Sequence, residues 1–96
     1  MEPLARNLHA ARMEDEIWLP VAFGDLLKQL REERGLSQAQ LALESDVDQT
    51  FVSLLERGRR QPTLATLFAL CDALRIQPDT VVATLVAARK SRKRRA

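Results

Sequence analysis

The sequence predicts an all-α domain of five helices. Apolar residues recur at helical intervals from Phe23 to Val86, residues able to cap helices separate the apolar runs, and no segment is left over that reads as a strand.

The first segment is the least regular. Residues 1–22, MEPLARNLHAARMEDEIWLPVA, place Leu4 and Leu8 one turn apart, then Glu14-Asp15-Glu16, then Ile17-Trp18 ahead of Pro20. They read as a short helix with an arm. The arm is either a loose extension or a segment that docks Trp18 on the body or on a second subunit. From Phe23 the pattern tightens. Phe23, Leu26, Leu27 and Leu30 form one stripe, and Gly35 is placed to end the helix in a left-handed conformation, which predicts helix one over about 23–34.

The stretch 37–58, SQAQLALESDVDQTFVSLLERG, keeps helical spacing but breaks it once, at Ser45-Asp46-Val47-Asp48. Ser37 with Gln40 reads as a capping box that opens helix two, about 38–44. Asp48 has the chemistry of another N-cap, followed by Phe51, Val52 and Leu55 on one side of helix three, about 49–57. A continuous helix would leave four residues of poor propensity in its middle, so two short helices joined by a tight turn are expected. Gly58 and Pro62 close helix three. Thr63 caps helix four, whose stripe is Leu64, Leu67, Phe68, Cys71 and Leu74, and Pro78 sits in the first turn of helix five.

Composition narrows the function. The chain has 96 residues, enough for one core, and three Phe, one Trp and no Tyr, so the interior is aliphatic and stacking surfaces for single-stranded nucleic acid are scarce. One Cys permits no internal disulfide, and Cys71 on an apolar face reads as a core thiol. His9 has no acid or nucleophile spaced for catalysis; no metal-ligand cluster and no Gly-rich phosphate loop is found, so neither an enzyme, a metal nor a cofactor is expected. No apolar run approaches the ~18 residues of a membrane span and no signal peptide is found, which points to the cytoplasm. The net charge of +2 conceals a division: Arg89, Lys90, Arg92, Lys93, Arg94 and Arg95 crowd the end, and residues 1–88 carry the other nine cations and all thirteen carboxylates. Nucleic-acid binding by so acidic a body must come from local clusters, and Arg57, Arg59 and Arg60 form one.

The residues LREERGLSQAQLA followed by VDQTFVSLLERGRRQPTL resemble the phage-repressor and Cro-like (XRE-type) helix-turn-helix family, over about residues 23–86. The resemblance implies a compact lambda-repressor-like DNA-binding domain over 23–88, with an N-terminal arm (1–22) and a basic tail (89–96). It implies that helix three is the recognition helix, whose N-terminal residues meet base edges in the major groove. Val52 and Leu55 anchor it, Ala42 is small where two helices cross, Val47 plugs the turn, and Asp48, Gln49, Thr50, Ser53, Leu54 and Arg57 face outward. The base-contacting set is then Gln49, Thr50, Ser53 and Leu54. Gln49 suits adenine and Leu54 thymine methyls, an A·T-leaning preference. Asp48 is assigned to capping. The phosphate-contacting set is Gln38, at the start of helix two, with Arg57, Arg59 and Arg60. The same resemblance pairs Arg31 with Glu56 as a buried ion pair bracing helix one against helix three. Three residues depart from the family pattern: Asp46 stands at a turn position usually Gly, Leu54 where a polar reader is common, and Arg75 where Gly often follows helix four.

Two surfaces remain. The tail RKSRKRRA is either a disordered solubilising segment or a non-specific DNA arm. Helix five has Val81 and Leu85 for the core and Val82 and Val86 left over, so either a homodimer seam of Val82, Val86 and Trp18 covers them, or Trp18 covers the strip within one chain. The expectation is a homodimeric, sequence-specific regulator of transcription that binds double-stranded DNA, with no separate small-molecule domain. An antitoxin-like or adaptor module that grips a protein partner on the same fold is the alternative.

Overall fold

The computed structural model describes the backbone of residues 2–95 and the side chains of Leu8, Ala10 and residues 12–94. Leu4, His9 and Arg95, singled out above, lie outside the described side chains. In order, the helices are α1 (Glu2–Glu33), α2 (Gln38–Ser45), α3 (Gln49–Glu56), α4 (Leu64–Leu74) and α5 (Pro78–Arg95). Phe23 and Leu27 of α1, Leu41 of α2, Val52 and Leu55 of α3, Leu70 and Cys71 of α4 and Val81 of α5 meet in one aliphatic core. Burial pushes the Cys71 thiol above its ordinary range, with Asp72 adding to the effect, so it stays protonated at neutral pH.

Local signals set the helix ends. The Ser37 hydroxyl accepts from Gln40 N–H at 3.0 Å and Ser37 N–H donates to the Gln40 side-chain oxygen at 2.7 Å, the reciprocal pair expected of a capping box. Asp48 Oδ1 accepts from Thr50 N–H at 2.7 Å, and Thr63 Oγ1 from Thr66 N–H at 3.1 Å. The first four helices all end alike. Gly35, Asp46, Gly58 and Arg75 take positive φ, and the N–H of the residue after each returns to a carbonyl in the last turn: Leu36 to Arg31, Val47 to Ala42, Arg59 to Leu54 and Ile76 to Cys71. Leu36, Val47 and Ile76 are also packed against the core, so the turn and the core fix one another. Asp46 (φ 57°, ψ 37°) and Arg75 (φ 57°, ψ 42°) do this without glycine, at a cost of about 1–2 kcal/mol each.

Three expectations change. Pro20 does not end a short helix: α1 is one helix of 32 residues running through it, so no separate arm over 1–22 is seen among the described residues. The lost backbone hydrogen bond, worth roughly 3 kcal/mol with its clash, is offset because the turn before Pro20 is docked, with Leu19 and Asp15 facing α5. The tail does not separate from α5 either, which stays helical to Arg95. On α4 the buried stripe is rotated from the expected one. Leu67, Leu70, Cys71, Ala73 and Leu74 are buried, whereas Leu64 and Phe68 are 75% and 55% exposed. The helix is apolar around more than half its circumference, so periodicity alone left its inward face undecided.

Gly24, unremarkable in the sequence, marks where α1 crosses the end of α3 backbone to backbone. A Cβ there would run into the Leu55 carbonyl oxygen and stand 2.8 Å from that of Glu56, atoms that cannot swing aside. Gly24→Ala is therefore expected to cost about 2–3 kcal/mol despite its better helix propensity. A thermal melt should fall by about 10 °C or more.

Candidate nucleic-acid interface

The interface starts from a helix buried along one edge. Val52 and Leu55 are fully buried, each contributing about 1.5–3 kcal/mol, and Asp48 holds the first turn by its cap. Gln49 and Thr50 are exposed at the N-terminal end of α3; Ser53 and Leu54 are half-buried rather than open. Beyond the helix, Arg57, Arg59 and Arg60 are exposed. Arg57 Nε points back to the Ser53 carbonyl at 3.4 Å and Arg60 Nη1 donates to the Arg59 carbonyl at 3.1 Å.

Behind this face lies the pair expected from the resemblance. Arg31 Nε donates to Glu56 Oε2 at 2.6 Å and Nη2 to Oε1 at 3.0 Å, with side chains 10% and 3% exposed. Arg31 Nη1 also donates to the Leu36 carbonyl at 2.7 Å, tying in the turn before α2. The bond to Glu56 keeps the guanidinium pKa above its ordinary value, against the opposing effect of burial. A third member escaped sequence reasoning: Gln38 Nε2 donates to Glu56 Oε1 at 2.9 Å. Because a carboxylate only accepts, this contact orients the amide nitrogen inward and leaves its second N–H at the start of α2. Eighteen positions separate Gln38 from Glu56, so no local pattern could show it.

Beside the loop that follows Arg60, a hollow of about 380 Å³ opens between α1, α4 and α5, with Leu19, Pro62, Leu64, Val82 and Val86 among its lining. Val82 and Val86 are 47% and 42% exposed. Trp18 does not cover them; it faces Ala88, Ser91 and Arg92 further along α5. Of the three residues expected at a seam, the structure thus places Val82 and Val86 on one hollow and Trp18 on another.

The family model described as helix-turn-helix matches residues 27–81, which hold α2, α3, both caps and the Arg31–Glu56 pair. The chain belongs to the helix-turn-helix family. Within that family it is 45% identical over 51 residues to the uncharacterized HTH-type transcriptional regulator y4dJ of Sinorhizobium fredii, a match covering 53% of this chain and 66% of that one, just under two thirds. Among solved structures it is similar to the restriction-modification controller protein C.AhdI from Aeromonas hydrophila (TM-score 0.63, 40% identity, 65% of this chain and 94% of that one). It is also similar to the controller protein C.Esp1396I, solved as a tetramer with its natural 35 base-pair operator (TM-score 0.67, 27% identity, 73% and 92% covered). No helix among the described residues is long and apolar enough to cross a membrane, and no group of three His, Cys, Asp or Glu among them could hold a metal ion.

In this helix-turn-helix, Arg31→Ala leaves Glu56 and Gln38 facing each other around an uncompensated charge. It should lower stability by about 3–5 kcal/mol, read in a thermal melt, while Arg31→Met with Glu56→Leu recovers most of the loss.

Proposed function

We propose that the chain is a sequence-specific, double-stranded DNA-binding regulator of transcription that acts as a homodimer and reads the major groove with α3. The observation that carries the reading is the two-sidedness of α3: Val52 and Leu55 are sealed in the core while Gln49 and Thr50 stand in solvent at the end that enters a groove in this family. Gln49 offers the donor and acceptor that adenine requires, Thr50 a hydroxyl and a methyl, and Ser53 and Leu54 complete the base-facing set. Gln38 and the free N–H groups at the start of α2 take one phosphate, and Arg57, Arg59 and Arg60 take others. The controller protein C.Esp1396I, solved with its operator, supports this reading.

The homodimer is supported by the hollow beside α5. Val82 and Val86 are exposed apolar side chains flanking it, and a two-fold contact there would bury both copies of the strip and present two recognition helices to one face of the duplex.

Selection of bound sites from random duplexes at stated salt tests the first part. The expected result is an enriched two-fold-symmetric site. Gln49→Ala should cost about 1–3 kcal/mol on that site and relax one position. Arg59→Ala should weaken all sequences alike and reduce the salt slope by about 1. Failure to enrich any sequence would sink the reading. For the second part, sedimentation at several concentrations should show a dimer that Val86→Glu dissociates; a wild-type chain monomeric at all concentrations would remove the homodimer.

A further inference from the structure

We propose that the last turns of α5 are a second phosphate-binding element of the same DNA site, held off the duplex by the acidic segment of α1 and released by exchange of ion-pair partners. This rests on the DNA reading above. Its basis is how the two long helices meet. Phe23 and Val81 share the core and Asp15 touches Arg89 about two turns further out, so α1 and α5 run antiparallel. The stripe that places Val81 and Leu85 against α1 continues at helical spacing onto Arg89 and Arg92. Where another aliphatic pair would extend the core, α5 has cations and α1 has Asp15 and Trp18. Arg89 Nε donates to Asp15 Oδ1 at 3.0 Å and its Nη2 lies 2.9 Å from Oδ2, a bidentate fork that a phosphate accepts equally well. The Arg92 guanidinium lies 5.6 Å from the centre of the Trp18 ring.

Two observations make this hold exchangeable. First, in the single chain, with nothing paired on Val82 and Val86, the Arg89 and Asp15 side chains are 39% and 27% exposed, against 10% and 3% for Arg31 and Glu56. A pair that water and salt can reach is weak and changes partners readily; the sealed pair does not. Second, the pair stands next to the phosphate-facing loop. Gln61, which follows Arg60, lines both hollows that Asp15 and Arg89 share, one running toward Val82 and the other toward Arg12 and Glu16. Lys90, Lys93 and Arg94 further along α5 are exposed, so freeing Arg89 adds its charge to theirs at the end of the helix that shares two hollows with Gln61.

Asp15 thus acts as a surrogate phosphate. It suppresses binding of the tail to any passing duplex and yields once α3 has docked, which raises the ratio of specific to non-specific affinity. The test is a double-mutant cycle on the full chain, with a selected duplex and a random duplex at several salt concentrations. Asp15→Asn should tighten binding to the random duplex about two- to five-fold, the equivalent of one partly exposed pair. Arg89→Gln should weaken binding and flatten the log–log salt slope by about 1. In the Arg89→Gln background, Asp15→Asn should give no gain. Glu14→Gln, which removes an equal charge next door, should give less gain than Asp15→Asn. Trp18 is the only tryptophan, so its emission should move to the red as duplex displaces Arg92. Equal gains from Asp15→Asn in both backgrounds, or a Trp18 emission fixed through saturation, would overturn the proposal and make the contact a purely structural strap. Absence of binding to any duplex at low salt would instead overturn the DNA reading together with it.

Discussion

The orientation of α3 depends on one buried ion pair. Glu56 is the last residue of α3, and Arg31 reaches it from α1 with two donors while a third holds the carbonyl of Leu36. Burying these charges is expensive in water's absence, so the pair adds little to net stability. What it adds is direction. A hydrophobic contact at the same place would tolerate sliding; a guanidinium fork on a carboxylate does not. With Gly24 bringing the α1 backbone against the Leu55 and Glu56 carbonyls, the C-terminal end of α3 is fixed in both position and angle. Gln38 joins the same carboxylate, so the beginning of α2 and the end of α3 share one anchor.

How much of this was legible in the sequence follows from the range of each interaction. The ends of α2, α3 and α4 could be read because caps act over two or three residues, as Ser37 with Gln40 and Asp48 with Thr50 demonstrate. The left-handed turns were harder. Gly35 and Gly58 announce themselves, but Asp46 and Arg75 do the same work with side chains that disfavour it, and only the repeated return bonds from Val47 and Ile76 reveal the common motif. Contacts between distant residues carried no local signal, and of these only the Arg31–Glu56 pair was expected, from the family resemblance. Pro20 reads as a stop unless it is known that the preceding turn leans on α5, and the basic tail reads as disordered or DNA-seeking unless Asp15 is known to face it. Gly24 carries no local signal, because its need for bareness comes wholly from the α3 backbone beside it.

The candidate site was legible as a list of residues more than as a surface. The family resemblance marked Gln49, Thr50, Ser53 and Leu54 together, yet the fold grades them from open to half-covered along α3. The same grading separates the two ion pairs that, among the described residues, join different helices. One is sealed and fixes geometry; the other is wet and adjusts charge. On the proposed DNA reading, an acidic body with a cationic end uses both kinds: the first keeps the reading face in shape, and the second sets how strongly the molecule clings to phosphate regardless of sequence.

α1 joins these two pairs mechanically. It is a single rod about 48 Å long by its residue count, with Arg31 near one end, Asp15 in its outer half and the Gly24 crossing between them as a fulcrum. A stiff rod would transmit every swing of the outer half to the recognition helix as torque. Pro20 lies between Asp15 and the fulcrum, where the missing backbone hydrogen bond makes the rod most compliant. A bend taken up there leaves the inner half in place, because the Gly24 crossing and the Arg31–Glu56 pair both lie beyond it.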